Sequence, residues 1–362
     1  MKNFLKFISC LFFLCLFLPN ALSETPKKEA LFYKKLDKKN LQCHLCPRFC
    51  VIPDGKRGYC RIRENNGGIL YTLSFAKPVS LNALDPIEKK PLFHFLPGTK
   101  TFSLSTAGCN LNCKFCQNWE ISQKAPEEVE FVYLEPQELI DKVKASGLNI
   151  IAYTYTEPTI FYEYMLETAK LAKAGGIRNV MHSNGFINPE PLKELAKYLD
   201  AANIDLKGFS DDYYVKMCAG TLAPVLASLK ILKQEGVHLE ITNLVLPSYN
   251  DDADSTKKMC LWIKENLGAD TPLHFSRFWP MYKLSLLNPT PIETLQRLRQ
   301  AALGCGLKYV YIGNIGTNPA ENTYCPKCGK IVIGRRGYFI VENNIIDGKC
   351  KFCAERISGV WN

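Results

Sequence analysis

Long apolar runs are scarce in this sequence. The run over residues 7–18 is twelve residues long, against the roughly 20 that a membrane-spanning helix needs. Lys2 and Lys6 precede it and Pro19-Asn-Ala-Leu-Ser23 comes after, so residues 1–23 read as a signal-like or anchor segment. No twin arginine accompanies it, which argues against export of an already folded chain. The lysines after the run (Lys27, Lys28, Lys34, Lys35) outnumber those before it, favouring a cytoplasmic location for the remainder of the chain. Membrane association through residues 4–22, or export, is the alternative. Gly-x-Gly-x-x-Gly is also missing after the first core strand, which argues against a dinucleotide fold. Acid is in deficit: 45 Lys and Arg against 35 Asp and Glu give a net charge of +10. Residues 24–63 carry eleven basic against four acidic side chains, a skirt that attracts nucleic acid, anionic lipid or an acidic protein.

Cysteine, by contrast, is abundant, with 16 in 362 residues, mostly in three clusters. Pairs at C-x-x-C spacing in a large chain favour metal over a disulfide framework. Cys109, Cys113 and Cys116, at C-x3-C-x2-C, follow an apolar run at 101–107 that reads as a strand. Structural zinc almost always takes four protein ligands. Three thiolates instead suit a [4Fe–4S] cluster with one iron left open for a reactive ligand. A zinc loop completed by a distant residue is the competing reading. Cys43, Cys46, Cys50 and Cys60 form a closed set of four, read as structural zinc or an auxiliary iron–sulfur cluster. Cys325, Cys328, Cys350 and Cys353 are spaced C-x2-C-x21-C-x2-C, close to a zinc ribbon. The ribbon reads as a staple or lid, because few aromatics alternate with basic residues there. Cys218, Cys260 and Cys305 read as ordinary core or surface thiols.

Strand-like runs at 101–107, 150–155, 178–183, 201–206, 238–245, 272–276 and 308–313 alternate with helical stretches. Pro136 and Glu138 open one helix and Gly147 ends it. Phe161, Met165, Ala169 and Ala172 share one helical face. Thr290-Pro-Ile-Glu293 reads as a capping box. The expected fold is α/β, a partial (β/α)6-type TIM barrel over residues 101–316; a doubly wound open sheet is the alternative. Around it stand a linker and N-terminal four-cysteine metal module (24–66), a hairpin and loop lead-in (67–100) and a C-terminal zinc-ribbon-like module (317–362).

The Cys109–Cys116 loop, with Phe115 before the last cysteine, resembles the cluster loop of the radical S-adenosylmethionine (SAM) superfamily. With Glu157-Pro158, Asp205–Lys207 and His274–Pro280, the chain resembles the activating-enzyme branch, and within it the radical SAM enzymes of the AmmeMemoRadiSam system. The resemblance implies a [4Fe–4S] cluster that reductively cleaves SAM to a 5′-deoxyadenosyl radical, which abstracts hydrogen from a protein or peptide, in the manner of a glycyl-radical activase. It also implies a low-potential electron donor and AMMECR1-like and Memo-like partners. Glu157 is then the partner of the SAM amine, although Tyr155 and Thr156 stand where the superfamily usually has glycines. Asn184 belongs to an Asn-Gly turn that has His182 where activases carry an acid. Asp205 and Lys207, on one face of a strand end, fall to ribose or carboxylate binding. Arg277 and His274 are candidate substrate contacts, Arg277 through its fork geometry; His274 reads equally as core. Two other functions remain open at this point: a radical SAM enzyme that modifies RNA, with nucleic acid the less favoured partner, and a non-catalytic, zinc-stapled interaction protein.

Overall fold

The computed structural model describes residues 27–362; the segment 1–23, and any membrane association through residues 4–22, lie outside the described residues. Eight strands make the central sheet: β1 (Ser80–Pro86), β2 (Lys100–Ser105), β3 (Ile150–Tyr153), β4 (Arg178–Ser183), β5 (Ala201–Asp205), β6 (His238–Val245), β7 (Leu273–Arg277) and β8 (Val310–Gly313). They lie side by side in chain order. β1 is antiparallel to β2, and every later neighbour pair is parallel. An order without reversal has no topological switch point, which excludes the doubly wound alternative. Six helices connect the parallel strands: α1 (Pro136–Ala145), α2 (Tyr162–Ala174), α3 (Pro189–Ala196), α4 (Leu222–Gln234), α5 (Ala253–Leu267) and α6 (Ile292–Gly304). Six strand–helix units are thus followed by a seventh parallel strand, and β1 and β8 are the two edges.

The local signals explain most of these elements. β3, Ile150-Ile-Ala-Tyr, is buried along its whole length, as a parallel strand covered on both faces must be. In α2 the predicted stripe is real: Phe161, Met165, Ala169 and Ala172 have no exposed surface. Pro136 opens α1, the Glu138 carboxylate accepts from the Glu135 backbone amide at 2.9 Å, and Gly147 follows at φ +72°. The capping box expected at Thr290 does not form. Its hydroxyl is buried and instead donates to Val245 O (2.6 Å) and accepts from Phe278 N (3.1 Å), tying β6 to the loop after β7. A buried hydroxyl with two main-chain partners outcompetes an exposed cap.

Residues 27–42, expected as linker, carry short strands. Lys28–Glu29 pairs with Ile69–Thr72, and Tyr33–Lys35 with Leu41–Cys43, which in turn pairs with Val51–Ile52. The alternation Leu41-in, Gln42-out, Cys43-in sits among so many lysines that composition hides it. Arg63 and Glu163 form a fully buried ion pair that fastens this module to α2. At the other end, Thr323–Tyr324, Ile331–Arg336 and Phe339–Asn343 make a three-stranded sheet. Arg335 docks it by donating to Phe93 O (2.7 Å) and Thr323 Oγ1 (2.9 Å). Among the described residues no single helix is long and apolar enough to cross a membrane.

Candidate functional site

The loop after β2 holds Cys109, Cys113 and Cys116 at one side of a cavity of about 910 Å³. The opposite wall comes from the residues that end β3 to β8, so the cavity lies at the C-terminal edge of the sheet, where α/β barrels place their chemistry. Gly108 sets the loop's entry. Its φ is +94°, and a Cβ there would stand 2.6 Å from Ile62 Cγ1 and 3.1 Å from Cys60 O. Beyond it, Asn112 N donates to Cys218 O and Lys114 N to Met217 O, each at 2.9 Å. Those carbonyls belong to the π-helical turn Tyr214–Cys218, so the loop is pinned from behind by main chain.

All nine residues singled out from the sequence at this site line the cavity: the three cysteines, Glu157, Asn184, Asp205, Lys207, His274 and Arg277. Glu157 is buried, and it is a cross-strand clamp as well as a cavity wall. Oε1 accepts from Thr159 N (3.0 Å) and Ser183 Oγ (2.7 Å), and Oε2 from Asn184 N (2.8 Å). A carboxylate has about four acceptor positions, so one remains for a ligand. Burial pushes its carboxyl upward in spite of these donors. Asn184 Nδ2 donates to Asn110 Oδ1 (2.9 Å) and lies 3.7 Å from Cys109 Sγ, so this turn touches the cysteine loop directly.

Asp205 and Lys207 pair with each other at 2.7 Å on the cavity wall, and His182 Nε2 sits 2.9 Å from the other Asp205 oxygen. Burial alone would raise the Asp205 carboxyl; the Lys207 ammonium and then His182 outweigh it and hold the group well below the usual carboxylate range. Burial likewise opposes the Lys207 charge, but Asp205 keeps it protonated far above its ordinary range. The Cys113 thiol is lowered by the neighbouring Cys218 first and by Lys207, against the effect of burial. Cys109 is pushed up by burial and by Glu157.

Deeper in, His274 is buried and its Nε2 is 2.6 Å from Glu240 Oε2. Glu240 also meets His238 Nε2 (3.0 Å) and accepts from Phe93 N (3.0 Å) and His94 N (2.7 Å). At the mouth, Arg277 stacks over Trp279 at 4.4 Å and spends only Nε on Thr290 O. Trp119 stacks on Tyr282 at 5.2 Å beside the cysteine loop. Glu88, whose Oε2 has no hydrogen-bond partner among the described residues, and Gly337 and Tyr338 of the C-terminal hairpin also line it.

Sequence reasoning missed Glu240 and Glu88; Glu240, an acid in mid-strand, was the one signal to be had. Cys218 is the core thiol it was read as, buried without exposed surface. The conformation of Tyr155 was also unforeseen. Its φ is +67°, a left-handed turn filled by a tyrosine. The phenol is held by Asp85, which also pairs with Lys90 (2.5 Å) and Lys89 (3.1 Å).

The other two cysteine sets are distinct from this cavity. Cys43, Cys46, Cys50 and Cys60 line a separate space of about 20 Å³ with Arg48, Arg63 and Asn110. Cys325, Cys328, Cys350 and Cys353 converge so that all four sulfurs lie within 4.8 Å of one another.

Residues 103–260, which include the cysteine loop and the ends of β3, β4 and β5, match the radical SAM superfamily model. The protein MJ0808 of Methanocaldococcus jannaschii is 48% identical over 332 residues, 91% of this chain and 98% of that one. This chain belongs to the radical SAM superfamily. The pyruvate formate-lyase 1-activating enzyme of Escherichia coli (strain K12) is 24% identical over 207 residues, 53% of this chain and 84% of that one. A radical SAM methyltransferase from Sphaerobacter thermophilus, known from its crystal structure, has a TM-score of 0.48 at 15% identity and covers 60% of this chain and 67% of its own. Superfamily membership implies a [4Fe–4S] cluster and SAM as cofactors. The residues present suit them. Three thiols, an acceptor position left on Glu157 and a paired Asp205–Lys207 all face one cavity.

Proposed function

We propose that this chain is a radical SAM enzyme of the activating type, acting on a protein or peptide. When bound, the cluster and SAM supply one-electron cleavage of SAM to a 5′-deoxyadenosyl radical and so hydrogen abstraction from the substrate. Cys109, Cys113 and Cys116 hold three irons. Glu157 and Asn184 orient the SAM amine and carboxylate end, and the Asp205–Lys207 pair holds the ribose or carboxylate. Arg277, whose terminal nitrogens bond no protein oxygen among the described residues, offers two donors to a peptide carboxylate or carbonyl at the mouth. His274, braced by Glu240, lines the floor next to Phe275. The single observation that carries the reading is the convergence of three thiols and the Asp205–Lys207 pair on one cavity of about 910 Å³. A drug-sized ligand site occupies some 300–1,000 Å³, so a space at the top of that range leaves room for a substrate segment beside a nucleoside. The parallel strand order supports a partial (β/α)6-type barrel.

The C-terminal set reads as zinc. Four sulfurs around zinc at ~2.3 Å stand about 3.8 Å apart, and Cys325–Cys353 and Cys328–Cys350 are 3.5 and 3.7 Å apart. The AMMECR1-like and Memo-like partners and the cytoplasmic location belong to the same reading and rest on the resemblance and the chemistry. The test is anaerobic reconstitution of the full chain. Absorbance at about 400 nm and SAM cleavage with dithionite are expected, and the cleavage should disappear in Cys113→Ala. Cleavage that survives in that variant would refute the assignment.

A further inference from the structure

The N-terminal cysteines differ from the C-terminal ones in geometry, although the two sets look alike as sequence. Among the described residues, the C-terminal set is the one whose ligand atoms all lie within 4.8 Å. Cys43, Cys46, Cys50 and Cys60 instead stand around an internal space of about 20 Å³. A water needs roughly 10–15 Å³ by the same measure, whereas zinc bonded to four sulfurs at ~2.3 Å leaves no gap between them. In an iron–sulfur cluster each cysteine caps a separate iron, so the thiols are held further apart. Leu45, Ile52 and Ile160 enclose the space, and Arg63 Nη1 reaches Cys43 Sγ at 3.6 Å, a donor of the kind that tunes a cluster sulfur.

This module is also in direct contact with the Cys109–Cys116 loop. Cys60 O and Ile62 press on Gly108, the residue before Cys109. Arg48 Nε donates to Asn110 O at 2.6 Å, and its Nη2 to Ala219 O beside Cys218. The exposed side chains of this module include both apolar and basic ones. Phe49, Val51 and Tyr59, neighbours in sequence of Cys50 and Cys60, are exposed. Lys34, Lys35, Lys38, Lys39 and Lys56 are exposed too, and among the described residues no ion pair engages them.

We propose that Cys43, Cys46, Cys50 and Cys60 hold a redox-active iron–sulfur cluster through which an acidic electron-carrier protein, docked on the lysines of this module, reduces the SAM-binding cluster. This deepens the function proposed above and rests on it for the acceptor. The step moves one electron and no atoms. The reduced carrier loses it, the N-terminal site accepts it and hands it across the Cys60–Gly108–Cys109 contact. The carrier is itself a low-potential iron–sulfur or flavin protein of negative charge, the complement of the lysines it meets.

Metal and sulfide analysis of the anaerobically purified full chain decides the site. About eight irons, matching sulfide and about one zinc per chain are expected, for two four-iron clusters and one ribbon. A Cys109→Ala/Cys113→Ala/Cys116→Ala variant should keep about four irons and show, after dithionite, a reduced-cluster paramagnetic resonance signal that SAM leaves unchanged. About four irons and two zincs in the wild type, with the triple variant free of iron, would overturn this proposal and leave the radical SAM reading standing. No iron in either would overturn both. The wild-type count alone separates these cases if the triple variant does not fold. For the route, Lys34→Glu/Lys35→Glu/Lys38→Glu should slow SAM cleavage driven by a reduced acidic ferredoxin about tenfold or more at low salt. Cleavage driven by dithionite should change by less than about twofold, because a small reductant needs no docking face. Equal rates with ferredoxin in variant and wild type would refute the docking.

Discussion

Single side chains at the cysteine loop carry more than one duty. Gly108 is required by space as well as by its φ of +94°. Gly108→Ala would drive a methyl against Ile62 and Cys60 O, and should cost about 2–3 kcal/mol. A fall in melting temperature together with lower iron retention would check this. Lys207 touches ligand space through its pairing with Asp205 and stands near Phe115, and as an ammonium it has no lone pair for a metal. Lys207→Ala should therefore weaken SAM binding about tenfold or more while iron per chain stays constant; titration calorimetry and iron analysis on the same sample test it. Loss of iron along with affinity would make Lys207 structural.

Between elements, buried charge does the fastening. Glu163 of α2 accepts from Arg63 Nη2 and from Leu31 N (2.8 Å), joining helix to N-terminal module. Removing one partner of a buried pair strands the other, so Glu163→Ala should destabilise by about 3–5 kcal/mol, measured by denaturant unfolding. On the zinc reading proposed above, the C-terminal four-cysteine module depends on its metal in a similar way, since small metal modules fold by binding it. Cys328→Ala should release zinc and lower the melting temperature, but reduce dithionite-driven SAM cleavage far less than Cys113→Ala does. Part of this was legible beforehand. The period of α2 and the Pro136–Glu138 start of α1 are local patterns, and they form as expected. Thr290 has the same local pattern but lies against β6, and its tertiary partners win. The strands in 27–43 were hidden for the opposite reason: their lysines face solvent, and pairing with 51–52 and 69–72 is non-local.

Across the whole molecule, carboxylates held below their ordinary range predict acid sensitivity. Burial would raise Asp85, but Lys90 and then Tyr155 bring it down to about 2 from 3.8. A carboxyl depressed in the fold stabilises it fully above the unfolded value, and the contribution disappears as pH falls through the folded one. Between about pH 4 and 2, Asp85 should therefore give up about 2 kcal/mol. Asp205 shifts in the same direction and should add to the acid limb. Lys90 acts oppositely: burial lowers it to about 8 from 10.5, so its cost is present below pH 8 and is relieved as pH rises from there to 10.5. Unfolding curves across pH should show both limbs, with the acid limb flattened in Asp85→Asn. An unchanged acid limb in that variant would remove Asp85 from the account.

Cysteine spacing, the order of strand-like and helix-like segments and the residues at strand ends are one-dimensional patterns. From them alone came the three cysteine sets, the α/β class and the group of side chains that meet at the cavity, because ligand bites and 2.0 or 3.6 periods are properties of neighbouring residues. Which thiols close tightly and which stand apart, that the Cys218 carbonyl holds the cysteine loop at Asn112, that Glu240 gathers His238, His274 and two backbone amides, and that Cys60 rests on Gly108 were decided by packing. Those contacts join residues far apart along the chain, and their distances exist only once the sheet has brought the ends of its strands together.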